Sequence, residues 1–400
     1  GVVASLAARL CGPGNLVSYE ANSKLEPIIR GNFALNGVEP RLVMRAVNLD
    51  GRPVTFNRDD NIVSSSLAKR DRSSEAIEVA AEAFADIVAA LKAAGGPHEA
   101  GDLAAHEGMQ TDPIHGDYHG MELWEHPPNG QGATAILLAN ILSCFDIAGM
   151  DPHGAERAHI EAEATRLAYD ARNRFVADPD HMARLEHMLD PDTGRKLAAL
   201  IDPKRATARI GDTAGAVHRD TVYITVVDRD RMAVSLIYSL FHGFGSGICS
   251  EKFGVMLQNR GAGFCLEPGH VNEMAPGKRP MHTIIPGMLA EGERAVMPFG
   301  VMGGHYQATG HAHFLTNFID FGMDPQQAVD FPRLFWGEDG TLEAETGIPA
   351  GVRSELAARG HTLRDALGPW GGAQIIAIDY ESGFLIGGSD PRKDGCALGW

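Results

Sequence analysis

The chain has 400 residues, of which 44% are apolar and 22% charged, a core-forming composition with room for one large domain or two ordinary ones. Its formal charge of −17 argues against nucleic acid or an anionic membrane as a partner. No apolar run approaches the roughly 18 residues of a membrane span, and no basic stretch leading into an apolar one marks a secretory signal at the start. In chain order, residues 1–73 give weak signals: a short helix over 25–30, and a strand or helix over 42–47. Residues 74–94 read as an amphipathic helix, with Ile77, Val79, Ala80, Phe84, Ile87, Val88 and Leu91 at helical spacing and Gly95-Gly96-Pro97 as its stop. A short helix over 101–106 and a strand over 118–125 come next. Pro127-Pro128-Asn129-Gly130-Gln131-Gly132 is a loop joined to a helix over 133–147. A tight turn with a helix cap and a site-lining loop are both open readings of it. The long helix over 155–176 sets Glu161, Glu163, Arg166, Asp170 and Arg172 at i,i+3 and i,i+4 spacings, as a solvated or internally paired face. Residues 180–219 are polar and read as an exposed lead-in to the stretch that begins at Thr221.

From Thr221 the chain fills with hydroxyl, aromatic and β-branched residues and reads as a strand over 221–228. Asp228-Arg229-Asp230-Arg231 makes a polar turn, and a second strand spans 233–240. Alone this is an ordinary β-hairpin. It is followed by Gly243-Phe244-Gly245-Ser246-Gly247, then Ala275-Pro276-Gly277-Lys278-Arg279-Pro280, then Gly300-Val301-Met302-Gly303-Gly304. Between and after these runs the sequence predicts strands over 254–258, 281–288, 294–299 and 341–345, and a glycine turn over 259–264. Helices are predicted over 310–321, 325–330 and 352–359, with a last hairpin of 374–380 and 383–387. Periodicity alone gives mixed α and β. Five scattered cysteines (Cys11, Cys144, Cys249, Cys265, Cys396) and the lack of a signal predict reduced thiols in a cytoplasmic protein. A periplasmic or secreted protein that has lost a leader is the alternative. None of the 17 histidines forms a His-Glu-x-x-His array, and no cysteine cluster has zinc spacing, so neither a metal nor a cofactor is expected.

In order and spacing these runs resemble the γ-glutamyltranspeptidase family, and most closely its γ-glutamyltransferase-like, oxamate-hydrolysing branch. The family's small subunit opens Thr-Thr-His-Tyr-Ser-Val-Val-Asp; here the matching run is Thr221-Val222-Tyr223-Ile224-Thr225-Val226-Val227-Asp228. The resemblance implies an N-terminal-nucleophile amidohydrolase made as a precursor and cut between Asp220 and Thr221. A large subunit of 1–220 and a small subunit of 221–400 would then form one structural domain. It implies an α+β fold, the four-layer αββα sandwich, and subunits that stay associated, with a dimer of heterodimers as a further expectation.

A threonine hydroxyl needs a base, and a freed α-amine with a pKa near ~8 supplies one within the same residue. Thr221 is therefore the expected nucleophile, and Ser239 matches the hydroxyl that bonds it. Gly303 and Gly304 match the oxyanion pair. Val222 stands where the family has a second threonine. Phe241, Arg260 and Gly263 replace the acidic and amide groups that hold a γ-glutamyl ammonium, and His282-Thr283 replaces a paired serine that holds the carboxylate. The resemblance thus implies a small anionic amide such as oxamate, with Arg260 either a carboxylate fork or a brace of its own loop. His282 and Thr283 are expected donors to it. A true γ-glutamyl hydrolase and a catalytically silent binding protein are the alternatives. The family's opening helix and carboxylate-gripping arginine have no match, and Arg30 and Arg41 are the arginines left for that role.

Overall fold

The computed structural model describes residues 17–19, 25–44, 46–48, 53–59, 73–79, 81–83, 85–207, 221–249, 255–337 and 339–399. The chain falls into two compact units, residues 1–109 with 244–257, and residues 110–243 with 258–400. In the second unit the elements run β1 (Ile114–Tyr118), β2 (Met121–Glu125), α1 (Gly132–Leu142), α2 (Ala155–Phe175), α3 (Leu185–Leu189), α4 (Pro191–Ala198), β3 (Thr221–Val227) and β4 (Ala233–Ser239). They continue β5 (Gly287–Glu291), β6 (Arg294–Met302), α5 (Gln307–Leu315), α6 (Pro325–Asp330), β7 (Leu334–Trp336) and β8 (Leu342–Ala344). The last are α7 (Ala350–Ala358), β9 (Leu363–Asp365), β10 (Gly372–Ile378) and β11 (Leu385–Ser389).

Six strands form one antiparallel sheet in the order β11-β10-β6-β5-β2-β1. Successive side chains of a strand face opposite ways, and β6 shows what each face meets. Phe299 and Val301 turn to α5, where Phe299 packs on Phe314 and Val301 approaches Gly310. Gly300 and Met302 turn the other way, to Tyr223 of β3 and, for Met302, Ile237 of β4. Helices thus cover one face of the sheet and the β3–β4 hairpin covers the other. Hydroxyls seal the second contact: Thr225 donates to the Pro298 carbonyl at 3.4 Å and Ser235 to that of Phe299 at 3.3 Å. The outward face of the hairpin, Val222, Ile224 and Val226 against Val234, Leu236 and Tyr238, is apolar and exposed.

Helix α1 is buried along its whole length against the sheet, and α2 packs on it. Several charges of α2 are paired inside the molecule. Arg157, 1% exposed, donates to Glu161 at 3.0 Å, Thr316 at 2.9 Å and Asn317 at 2.6 Å. Arg166 meets Glu163 at 3.3 Å. Burying a guanidinium costs heavily unless it is bonded this way.

Several expectations are corrected. Residues 74–94 are not one helix: Ser73–Val79 is a strand paired antiparallel with Val54–Asp59, Ala81–Ala83 is a second strand, and only Ala85–Ala93 is helical. The ladder sets Ile77 opposite Phe56 and Val79 opposite Val54, a pairing that local periodicity cannot reveal. Residues 180–201 are not a slack lead-in. Helices α3 and α4 pack on α1, Met188 is fully buried, and a Cβ on Gly194 would lie 2.6 Å from that of Asn140. Residues 255–258 are loop, and β5 starts only at Gly287. Strand β1 had no signal. It meets β2 through His119 and Gly120, at φ 52° and 87°, the two left-handed positions of a tight hairpin.

Candidate active site

The hairpin register places Thr221 directly opposite Ser239. Thr221, 9% exposed, donates its hydroxyl to Ser239 Oγ at 3.0 Å. Ser239 Oγ also accepts from the Phe241 amide at 2.9 Å, so the serine is held by its own backbone. Val222 lies on the opposite face of β3, 41% exposed, turned away from the Thr221 side chain.

The inward face of the hairpin rests on Met302, the residue before Gly303-Gly304. Gly303 has φ 123° and Gly304 φ 58°. A Cβ on Gly303 would sit 2.8 Å from the Gly371 Cα, so only glycine fits both the torsion and the space. The turn's carbonyls are fixed from below: Gly303 accepts from the Tyr306 amide at 3.1 Å and Gly304 from Gln131 Nε2 at 3.1 Å.

Gln131 is the residue that the sequence did not single out. It is fully buried, its Nε2 also donates to the Thr283 carbonyl at 2.9 Å, and its Oε1 accepts from Arg172 at 3.0 Å. The Pro127–Gly132 loop therefore braces the glycine turn and the 281–286 segment together. Its neighbour Asn129 donates to the Pro280 carbonyl at 2.5 Å, and its own carbonyl accepts from the His282 amide at 3.0 Å. The signal was present: a glutamine leading into a mostly apolar helix must find partners when buried. Arg172 also contacts His305 Nδ1 at 2.9 Å and lies over the Tyr169 ring, and burial pushes its pKa down to about 10, still cationic.

Arg260 Nη1 donates to Thr283 Oγ1 at 3.4 Å, and its guanidinium sits 5.0 Å from the Phe241 ring centroid. Its Nη2 is buried with no hydrogen-bond partner among the described residues. Burial pushes its pKa down to about 10. Phe241 is buried at φ 80°. His282 has its pKa pushed down to about 3, by burial first and then by His126 and Arg260 beside it, so its ring is neutral. Gly263 has its carbonyl bonded to Asn272 Nδ2 at 2.7 Å, and a Cβ there would lie 2.6 Å from the Met281 carbonyl oxygen. Thr221, Ser239 and Phe241 are thus joined by hydrogen bonds, and Phe241, Arg260 and Thr283 by contact. Asp220 lies outside the described residues. Arg30 is ion-paired with Glu26 at 2.8 Å, and Arg41 is exposed.

A family model described as gamma-glutamyltranspeptidase matches residues 82–400. The chain belongs to the γ-glutamyltranspeptidase family. It is similar to the glutathione hydrolase-like YwrD proenzyme of Bacillus subtilis, 36% identical with 74% of this chain and 58% of that one covered. It is also similar to the oxamate amidohydrolase proenzyme of Klebsiella pneumoniae, 33% identical with 80% and 61% covered. Among solved structures it matches a cephalosporin acylase from Bacillus halodurans at 37% identity and a TM-score of 0.73, covering 79% of this chain and 58% of that one. The chain spans about three fifths of the length of these family relatives. Helix layer, six-stranded sheet and hairpin are three layers of the family's αββα sandwich, the α+β fold expected.

Proposed function

We propose that this chain is a self-processing amidohydrolase whose nucleophile is Thr221, freed by cleavage after Asp220. The supporting observation is the 3.0 Å hydrogen bond from Thr221 to Ser239 on a hairpin face seated against Met302 and its glycine turn. Once the α-amine is free, with a pKa near ~8, it takes the hydroxyl proton as Oγ1 attacks an amide carbonyl. The Gly303-Gly304 backbone offers N–H donors to the oxyanion. The C–N bond then breaks, the amine leaves with the proton, and water releases the acid and restores Thr221.

The substrate class we propose is a small anionic amide such as oxamate. Arg260, with a buried Nη2 to offer a carboxylate, and Thr283 beside it favour this, as does the similarity to an oxamate amidohydrolase. A γ-glutamyl amide is the second reading, favoured by relatives named glutathione hydrolase, such as that of Pseudomonas at 29% identity. Intact-mass measurement tests the cut. Wild type is expected as two fragments split before Thr221, and Thr221→Ala as one; an uncut but active wild type overturns the mechanism. The substrate is tested by ammonia release from oxamate against turnover of a γ-glutamyl anilide. Oxamate is expected to win, with Arg260→Ala raising KM for it at least tenfold; faster anilide turnover, unaffected by Arg260→Ala, overturns the anionic pocket.

A further inference from the structure

Strand β6 ends at Met302, one residue before the glycine turn, and the sheet does not hold all of its last main-chain groups. The ladder between β5 and β6 starts at Gly287 opposite Phe299, so β5 sets no residue opposite Val301. On the other side Val301 faces Ala373 of β10, which turns both its N–H and its carbonyl to Asp390. Val301 is buried, and a buried amide N–H must find an acceptor. A side chain supplies it: the Val301 amide donates to His311 Nε2 at 3.3 Å. His311 is fully buried, and its Nδ1 lies 2.6 Å from Oε1 of Glu125, the last residue of β2 and equally buried. The Thr221 chemistry as derived above uses neither residue.

The two contacts fix where the ring carries its proton. An amide N–H can only donate, so His311 Nε2 is a lone pair. The proton is then on Nδ1, which donates to Glu125 Oε1. Glu125 thus selects the tautomer. The other tautomer would set an Nε2–H against the Val301 N–H. Burial pushes the Glu125 pKa up, which leaves the bond undisturbed, since Oε1 accepts whether or not Oε2 carries a proton.

Val301 and His311 are 10 positions apart, and Gly303-Gly304 lies between them. The bond therefore closes a loop around the glycine turn, with β6 entering it and α5 leaving it. Side chains repeat the tie: a Cβ on Gly310 would lie 2.6 Å from Val301 Cγ1, and the Phe299 ring packs 4.7 Å from that of His311. An imidazole, in place of a neighbouring strand, holds the main chain that carries the proposed oxyanion donors. Such donors work only when held within about 0.5 Å of the productive position.

We propose that Glu125 and His311 are positioning residues: Glu125 sets the His311 tautomer, and His311 holds the Val301 amide so that the Gly303-Gly304 N–H groups stay aimed at the oxyanion. This rests on the Thr221 mechanism above, and the test has two arms. The first needs no turnover: nitrogen-15 spectra of the full chain labelled at histidine, with His311→Gln to identify the signal. His311 is expected in the Nδ1–H form in wild type and in Glu125→Gln, whose amide oxygen still accepts, and in the Nε2–H form in Glu125→Met. The second arm is kcat and KM, per molecule cut before Thr221, on whichever of oxamate or a γ-glutamyl anilide is turned over. Glu125→Met should lower kcat at least about tenfold, less than the roughly hundredfold or more of deleting an oxyanion donor outright, with KM within about twofold. Glu125→Gln should stay within about threefold of wild type in both. An Nε2–H ring in wild type overturns the inference, and this is readable even if Glu125→Met does not fold. So does an unchanged tautomer in Glu125→Met, or a kcat there within about twofold of active wild type. A wild type that stays uncut and inert while His311 shows the Nδ1–H form overturns the Thr221 mechanism, and with it the catalytic role of the pair.

Discussion

Gln131 ties the glycine turn to the segment around Thr283 and to α2. Its amide is committed on every side, to the carbonyls of Thr283 and Gly304 and to Arg172. A buried polar group left without its partner costs about 1–3 kcal/mol. Gln131→Leu keeps the volume and removes a donor from the Thr283 and Gly304 carbonyls and an acceptor from Arg172 at once. Unfolding in denaturant should show a loss of about 2–4 kcal/mol. A change below about 0.5 kcal/mol would mean that the bracket does not hold the turn. Gly303 and Gly304 were legible as a match to the family's glycine pair, and Gly303, at φ 123°, is a position that favours a residue without a Cβ. Gln131 was not singled out, because its partners lie up to 173 positions away in the chain.

The β3–β4 hairpin was predicted almost to the residue because alternation and a polar turn are local signals. Its seat on the larger sheet is not local. Tyr223 covers Gly300 so closely that a Cβ there would come within 2.4 Å of the ring, and Tyr223 is fixed at its far end by Ser235 at 2.7 Å. Gly300→Ala should therefore push the ring off the sheet. The expected loss is about 1–3 kcal/mol, read as a lower denaturant midpoint at unchanged slope. If Gly300→Ala is neutral, the hairpin is not held by this contact. The three-residue strands β7 and β9 gave no signal for the opposite reason: too short for a period, they exist only through pairing with β8.

At the scale of the molecule, the main core is drawn from both sides of Thr221. Leu137, Ile141 and Tyr169 share one buried cluster with Phe299, Val301 and Phe314. Cutting the chain before Thr221 leaves that apolar contact intact, at about 25 cal/mol per Å² kept from water. The two fragments of processed protein should co-elute in native size exclusion and separate only in denaturant. Separation in native buffer would mean that the core is not shared as drawn.

By itself the sequence determined the hairpin that begins at Thr221, the glycine turn, helices α1 and α2 and the order of the family's motifs, all written in residues that are neighbours along the chain. Tertiary structure alone decided that 73–79 and 81–83 are strands, that Gln131 is a bracket, that Arg157 and Arg166 of α2 are paired inside, and that three arginines line one cavity. The reason is physical: torsional preference and periodicity act over a few residues. A buried polar group or a paired strand is settled by whichever distant partner the fold brings within hydrogen-bond reach.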